Sequence, residues 1–313
     1  MIACQFAIRD PRVVLRVAVP LLLASGCDLV FTLEPPAPVA VCGPYEEIGP
    51  QSFVGLEEVT DFSVDRSGVT GFVMSKRNGD VRLTPIALSA ENTWIVDEAR
   101  LFNLDVLHDT QGVRIGRTAP AGDLFASQFA QEAGDLRVFR YELSRTNNVW
   151  AAEAFPVSPA ASADTTIAGG AVEINDGFGP DRFFRHVPIL HETDTLDRFV
   201  SIASSEPDAR FDWFEPTVDG QLVTAAINRV HEVTQAALAL GPNGKLVMAY
   251  AAVEGESSML YLSEKLKARF PAGARLDELD GPGAETEPFL GEDCSTIYFR
   301  RGNAIIKAQA ELP

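Results

Sequence analysis

Few residues of this chain stand at spacings that carry known chemistry. The sequence holds no G-x-S-x-G, no P-loop, no H-E-x-x-H and no G-x-G-x-x-G. Four histidines, His108, His186, His191 and His231, are scattered. His186 and His191 lie five apart in a strand-like stretch, which points them to opposite faces and makes a shared metal unfavourable. "NDGFGPD" (175–181) has the acids and glycines of a calcium loop but lacks the alternating ligand pattern and the closing glutamate, so it reads as a turn. "DELDGPGAETE" (277–287) reads as a solvated acidic loop. A carboxylate pair for glycoside chemistry could lie anywhere among 44 acidic residues, so composition alone does not locate one. Trp94, Trp150 and Trp213 read as packing residues rather than sugar platforms. No catalytic residue, metal or cofactor is expected from these patterns, and the enzyme question leans toward no.

The remaining reactive groups are the four cysteines, and their meaning depends on the N-terminus. Arg9, Arg12 and Arg16 precede an apolar run from Val17 to Leu23. That run is far shorter than the ~20 residues needed to span a bilayer. Charge, short apolar run and small residues in this order make an export signal. Ala24-Ser25-Gly26-Cys27 resembles the bacterial lipobox, whose cysteine is acylated and becomes the new N-terminus. The resemblance implies a signal peptide over 1–26 and a lipid on Cys27. Ala24 stands where that family prefers leucine. An ordinary secretory signal and an uncleaved anchor are the alternatives.

Residues 27–50 carry Pro35, Pro36, Pro38, Pro44 and Pro50, and read as an extended tether or as a loop packed on the domain. Cys4 falls in the removed segment and Cys27 carries the lipid. Cys42 and Cys294 are left, and in an exported protein such a pair is expected to form a disulfide.

Residues 51–313 must supply the fold. Hydrophobic residues make up 46% of the chain, enough for a sizeable core. Helical periodicity is weak. Short apolar runs such as "GVTGFVMSKR" (68–77), "KLVMAYAAV" (245–253) and "TIYFRRGNAIIKAQ" (296–309) alternate with Gly, Asn and Asp turns. The pattern of strand, turn, apolar strand, turn and strand recurs near Asp61, Phe214, Leu238 and Thr286, with divergent copies near Asp105 and Phe155. The spacing of about 45 residues matches one four-stranded propeller blade.

"EPFLGEDCSTIYFRR" resembles the TolB-type, WD40-like propeller repeat. Glu287, Pro288, Asp293, Ile297, Tyr298 and Phe299 stand in its matching places, and Asp65 and Asp219 are the corresponding turn residues in two other copies. The resemblance implies an all-β propeller, with six blades favoured and five or seven allowed. In such a ring a bond between Cys42 and Cys294 would staple the N-terminal segment to the last blade.

A formal net charge of −18 argues against nucleic-acid phosphates as partners. Together these features read as a monomeric, lipid-anchored propeller of the cell envelope that binds an unidentified envelope protein or polymer. An envelope glycan hydrolase or lyase is the alternative, and a structural envelope protein the third. A carboxylate pair with an aromatic wall in the central channel would favour the enzyme.

Overall fold

The structure is a computed structural model that describes residues 42–77, 80–98, 114–119, 124–132, 135–143, 150–156, 165–167, 169, 172–175, 183–193, 196–204 and 217–311. The export segment, Cys27, His108, Trp213 and residues 176–181 lie outside the described residues.

The fold is all-β. The first strand, β1 (Tyr45–Pro50), is followed by β2 (Phe53–Val54) and by a meander of β3 (Glu57–Val64), β4 (Thr70–Arg77), β5 (Asp80–Leu88) and β6 (Trp94–Val96). Next come β7 (Arg114–Ala119), β8 (Leu124–Glu132), β9 (Asp135–Leu143) and β10 (Trp150–Pro156). The third group is β11 (Thr165–Ile167), β12 (Val172–Asn175), β13 (Phe183–Thr193) and β14 (Leu196–Ser204). A small hairpin, β15 (Thr217–Val218) and β16 (Gln221–Leu222), leads into one helical turn, α1 (Ala225–Asn228). The fourth group is β17 (Glu232–Leu240), β18 (Leu246–Glu254), β19 (Ser257–Glu264) and β20 (Ala274–Arg275). The last is β21 (Glu285–Leu290), β22 (Thr296–Arg301) and β23 (Ala304–Ala310).

Among the described residues these strands form five antiparallel blades of a β-propeller. The inner strands are β3, β7, the pair β11 and β12, β17 and β21. Blades two and three are joined at their inner edges by a parallel pairing of β7 with β12, Arg117 opposite Val172. The favoured count of six gives way to five because the copy that begins at Phe214 is not a blade. Its Asp219-Gly220 turn closes a hairpin of two-residue strands, too short to build a sheet. That copy is a lead-in to the blade that starts at β17.

Tyr298 and Phe299 show how the repeat packs. They are neighbours on β22, so they face opposite ways. Tyr298 joins Phe62, Ile86 and Trp94 of the first blade, and its ring centroid lies 4.7 Å from that of Phe62. Phe299 joins Val247, Ala249 and Ala251 of the fourth blade. β18 repeats the device: Met248, Tyr250 and Ala252 turn the other way, into a core with Val172 of the third blade. Strands buried on both faces read as continuous apolar runs, which "LVMAYAAV" is.

The ring closes on β1. Residues 45–50 were expected in the tether but pair antiparallel with β23 as the outer strand of the last blade. Pro44 precedes this strand and Pro50 ends it, at the positions where a missing N–H is tolerated. Cys42 and Cys294 are joined by a disulfide across 252 residues of sequence. The Tyr45 hydroxyl donates to the Cys294 carbonyl at 2.8 Å, and the Tyr45 N–H donates to Glu278 Oε1 at 3.1 Å.

Candidate functional site

All five inner strands or their links contribute to one small cavity on the propeller axis. Asp61 comes from β3, Arg114 and Arg117 from β7, and Gly169 from the link between β11 and β12. Leu238 comes from β17, and Glu287 and Phe289 from β21. The enclosed space is about 20 Å³.

Irregularities in three inner strands aim these groups. In β3 the pairing with β4 jumps from Glu57 to Asp61, and Glu58 takes φ 46°. In β21 it jumps from Thr286 to Phe289, and Glu287 takes φ 47°. In β17 it shifts between Val233 and Gln235. A bulge re-aims a side chain that the strand's alternation would send elsewhere. A glutamate at positive φ costs on the order of 1 kcal/mol, a cost concentrated at functional sites.

Asp61, Arg114 and Glu287 form one electrostatic group. Arg114 Nη2 lies 3.9 Å from Glu287 Oε1, with the two side chains 22% and 14% exposed. The Ile115 N–H donates to Asp61 Oδ2 at 3.3 Å. Burial holds the Asp61 carboxyl above its ordinary range, although Arg114 and the N–H groups of Ile115 and Phe62 pull it down. Burial pushes Glu287 up to about 7; Arg114 and Arg300 oppose this, and the Asp61 charge adds to it. Of the two, Asp61 has the hydrogen bonds that favour the ionised form, and Glu287 the environment that keeps a proton to neutral pH. Burial raises both carboxyls, and two coupled carboxyls sharing one guanidinium are a setting in which one holds a proton while the other is ionised.

Arg117 lies one step further along the axis. Its Nη2 donates to the Leu238 carbonyl at 3.1 Å, and its guanidinium sits 4.8 Å from the Phe289 ring centre. Burial lowers it to about 10, against the opposite pull of Glu292 and Asp293.

At the hairpin ends of β3, β17 and β21 a larger cleft of about 580 Å³ opens. Arg66, Pro242, Glu292, Tyr298 and Lys307 are among its walls. Arg66 Nε meets Glu292 Oε2 at 3.4 Å. Asp65 and Asp293 also reach this cleft, but their carboxylates hold the turns together. Asp65 accepts from the hydroxyls of Ser67, at 2.5 Å, and Thr70. Asp293 accepts from the Ser295 N–H at 3.0 Å and its hydroxyl at 2.7 Å.

The repeat-motif residues singled out from the sequence, Asp219 aside, have structural roles. Asp65 and Asp293 are equivalent turn residues of the first and last blades; Tyr298 and Phe299 fill two blade interfaces. Asp219 does not belong with them. It sits at φ 51° in the β15–β16 turn, where Arg269 Nη2 contacts it at 3.0 Å. The turn equivalent to Asp65 in the fourth blade is Asn243-Gly244, between β17 and β18. The axial group was not singled out. The sequence marks Glu287 as the first residue of an E-P repeat motif and as the end of the acidic loop 277–287, expected to be solvated, whereas the structure buries Glu285 and leaves the Glu287 side chain 14% exposed. It marks Asp61 only as the start of a repeat copy. The one usable signal was an acid inside an inner strand, where an apolar residue is expected.

No protein-family model matches the chain, and no curated protein matches it. Solved structures do. A Bacteroides ovatus ATCC 8483 protein assigned to the glycoside hydrolases aligns with TM-score 0.51 and 11% identity, over 87% of this chain and 97% of its own. A glycosyl hydrolase from Bacteroides ovatus aligns with TM-score 0.47 and 10% identity, over 90% and 95%. A mannose phosphorylase from Leishmania mexicana aligns with TM-score 0.46 and 8% identity, over 94% of each chain. The last two fall below 0.5 and carry no weight. The first, at 11% identity, is a likeness of fold and of nothing finer.

Proposed function

We propose that this chain is an exported, lipid-anchored propeller that hydrolyses glycosidic bonds of an envelope glycan. In this reading Glu287 is the general acid and Asp61 its carboxylate partner. The observation that carries the reading is the axial group of Asp61, Arg114 and Glu287, set in bulged inner strands. A protonated glutamate donates its proton to the glycosidic oxygen as the bond breaks. An ionised carboxylate either activates water or stabilises the positive charge that develops on the sugar. Arg114 keeps one negative charge in place without removing the proton from its neighbour. The cavity itself is too small for a sugar ring, so the glycosidic oxygen meets Glu287 at its exposed edge. Phe289, in the same cavity, is buried beneath the Arg117 guanidinium and offers no platform to a sugar ring. The substrate class is an analogy from the fold shared with the Bacteroides ovatus protein. The lipid on Cys27 and the envelope location rest on the lipobox-like start.

The test is reducing-sugar release from a panel of soluble polysaccharides and aryl glycosides. The wild-type protein is expected to cleave at least one member, and Asp61→Asn and Glu287→Gln to lose roughly 10²- to 10⁴-fold in rate. A folded wild-type protein that cleaves nothing on the panel would overturn the reading.

The non-catalytic binding module is the second reading. The 580 Å³ cleft at the hairpin end favours it, being in the size range of ligand sites. Capture of an envelope partner that is lost with Arg66→Ala or Lys307→Ala, while Glu287→Gln still binds, would favour this reading over the first.

A further inference from the structure

Arg117 presents a donor with no acceptor. Its side chain is 3% exposed, yet Nη1 has no hydrogen-bond partner among the described residues. An unpaired donor on a buried charge is strongly unfavourable. Such a group calls for a partner beyond the described residues.

The space beside it limits what that partner is. The axial cavity of about 20 Å³ has small residues, Gly169, Ala236 and Ala237, on its walls. That is room for one water molecule or one monatomic ion. A phosphate or a carboxylate-bearing ligand does not fit.

Charge separates the two choices. Arg114 and Arg117 bring two positive charges to the cavity, and Asp61 and Glu287 bring two carboxyls. Arg114 lies against Glu287, and neither Asp61 nor Glu287 is among the acids that act on Arg117. Two further acids act on Arg117, Glu292 and Asp293, both toward the hairpin end. Glu292 meets Arg66 at 3.4 Å, and Asp293 is engaged by Ser295. Neither is hydrogen-bonded to Arg117 Nη1. A water would satisfy the donor but leave the charge.

We infer that the axial cavity is a binding site for one small monovalent anion of chloride size, with Arg117 Nη1 as its principal donor. The site does not depend on the glycan reading, since it needs neither substrate nor turnover.

The experiment is thermal melting of the purified protein in sodium chloride and in sodium gluconate at equal ionic strength and pH 6. Chloride is expected to raise the midpoint saturably by about 3 °C, the shift for a ligand near ten times its Kd in a chain of this size. Arg117→Met is expected to lose the chloride-specific part while still melting cooperatively. Arg117→Lys, which keeps the charge, guards against a variant that fails to fold and is expected to retain a weakened shift. In bromide-soaked crystals an anomalous scattering peak is expected against Nη1. Equal midpoints in the two salts, or a cavity holding water alone with no bromide peak, would overturn the inference. Both readouts are independent of hydrolysis, so a failure here leaves the glycan reading to its own test.

Discussion

At the scale of single residues, Glu287 carries the most consequence. Its folded-state proton affinity is raised to about 7 from an ordinary 4.5. Between those values the folded protein holds a proton that the unfolded chain has released. Stability therefore falls as pH rises through this window. Glu287→Gln, which cannot ionise, is expected to flatten that slope. Relative to the wild type, the variant should gain on the order of 2 to 3 kcal/mol between pH 4.5 and 8. Urea denaturation at a series of pH values measures it; parallel curves for the two proteins would show that Glu287 keeps an ordinary affinity. The only part of this legible in the sequence is an acid standing inside an otherwise apolar strand. Whether an acid inside "TEPFL" faces the channel depends on how β21 pairs with β22. A two-residue jump at Glu287-Pro288 sets that, and it has no local signature. The turn aspartates were legible because their work is local: Asp65 and Asp293 bind hydroxyls two to five residues away.

At the scale of elements, one arginine ties the closing strand's side chains to the last blade. Arg301 Nε donates to Glu285 Oε1 at 3.1 Å, and Nη1 donates to Glu47 Oε2 of β1 at 2.9 Å. Its Nη2 donates to the Leu279 carbonyl. Gly281 leaves the room this requires, since a Cβ there would sit 2.4 Å from the guanidinium carbon. Glu285 is 1% exposed and accepts from Arg301 and from the Gly281 N–H, with Arg301 its one charged partner among the described residues. Arg301→Ala is therefore expected to cost about 3 to 5 kcal/mol, as for a buried ion pair broken on one side. A double substitution with Glu285→Gln should recover part of that loss, because no buried carboxylate is left bare. Chemical denaturation of the single and double variants checks both; equal stability of Arg301→Ala and wild type would contradict the role. Blade-forming strands were readable from the sequence wherever burial on both faces leaves a continuous apolar run, as in β18. The Phe214 copy misled because an Asp-Gly turn marks a hairpin of any length. Only strand length separates a blade from a two-residue ladder, and the apolar residues of "QLVTAAIN" go to the core through Val223 and Ile227 instead.

At the scale of the whole molecule, the ring is closed by a strand from its far end and one disulfide. The pairing of Cys42 with Cys294 was readable once the export segment was set aside, because two cysteines then remained. Their placement on β1's lead-in and the β21–β22 turn was implied only by the propeller resemblance. Cys42→Ser with Cys294→Ser is expected to lower stability by about 2 to 5 kcal/mol and to leave the β content in place. Circular dichroism melts test this; loss of the folded spectrum at 25 °C would mean that the bond is needed for the ring to form at all. The export reading has its own check. Labelling with a palmitate analogue is expected in the wild type and absent in Cys27→Ala, and equal labelling would reject the anchor.

The ring gathers a guanidinium and two carboxyls at its axis from three different blades. The most direct test of the glycan reading is the rate of glycoside hydrolysis against pH for the wild type and Glu287→Gln, on whichever substrate the panel identifies. The wild-type rate is expected to fall as pH rises above about 7, where Glu287 loses its proton. The Glu287→Gln rate is expected to be at most about 1% of the wild type across the range. A Glu287→Gln protein that hydrolyses the substrate at the wild-type rate, with the same pH profile, would contradict it.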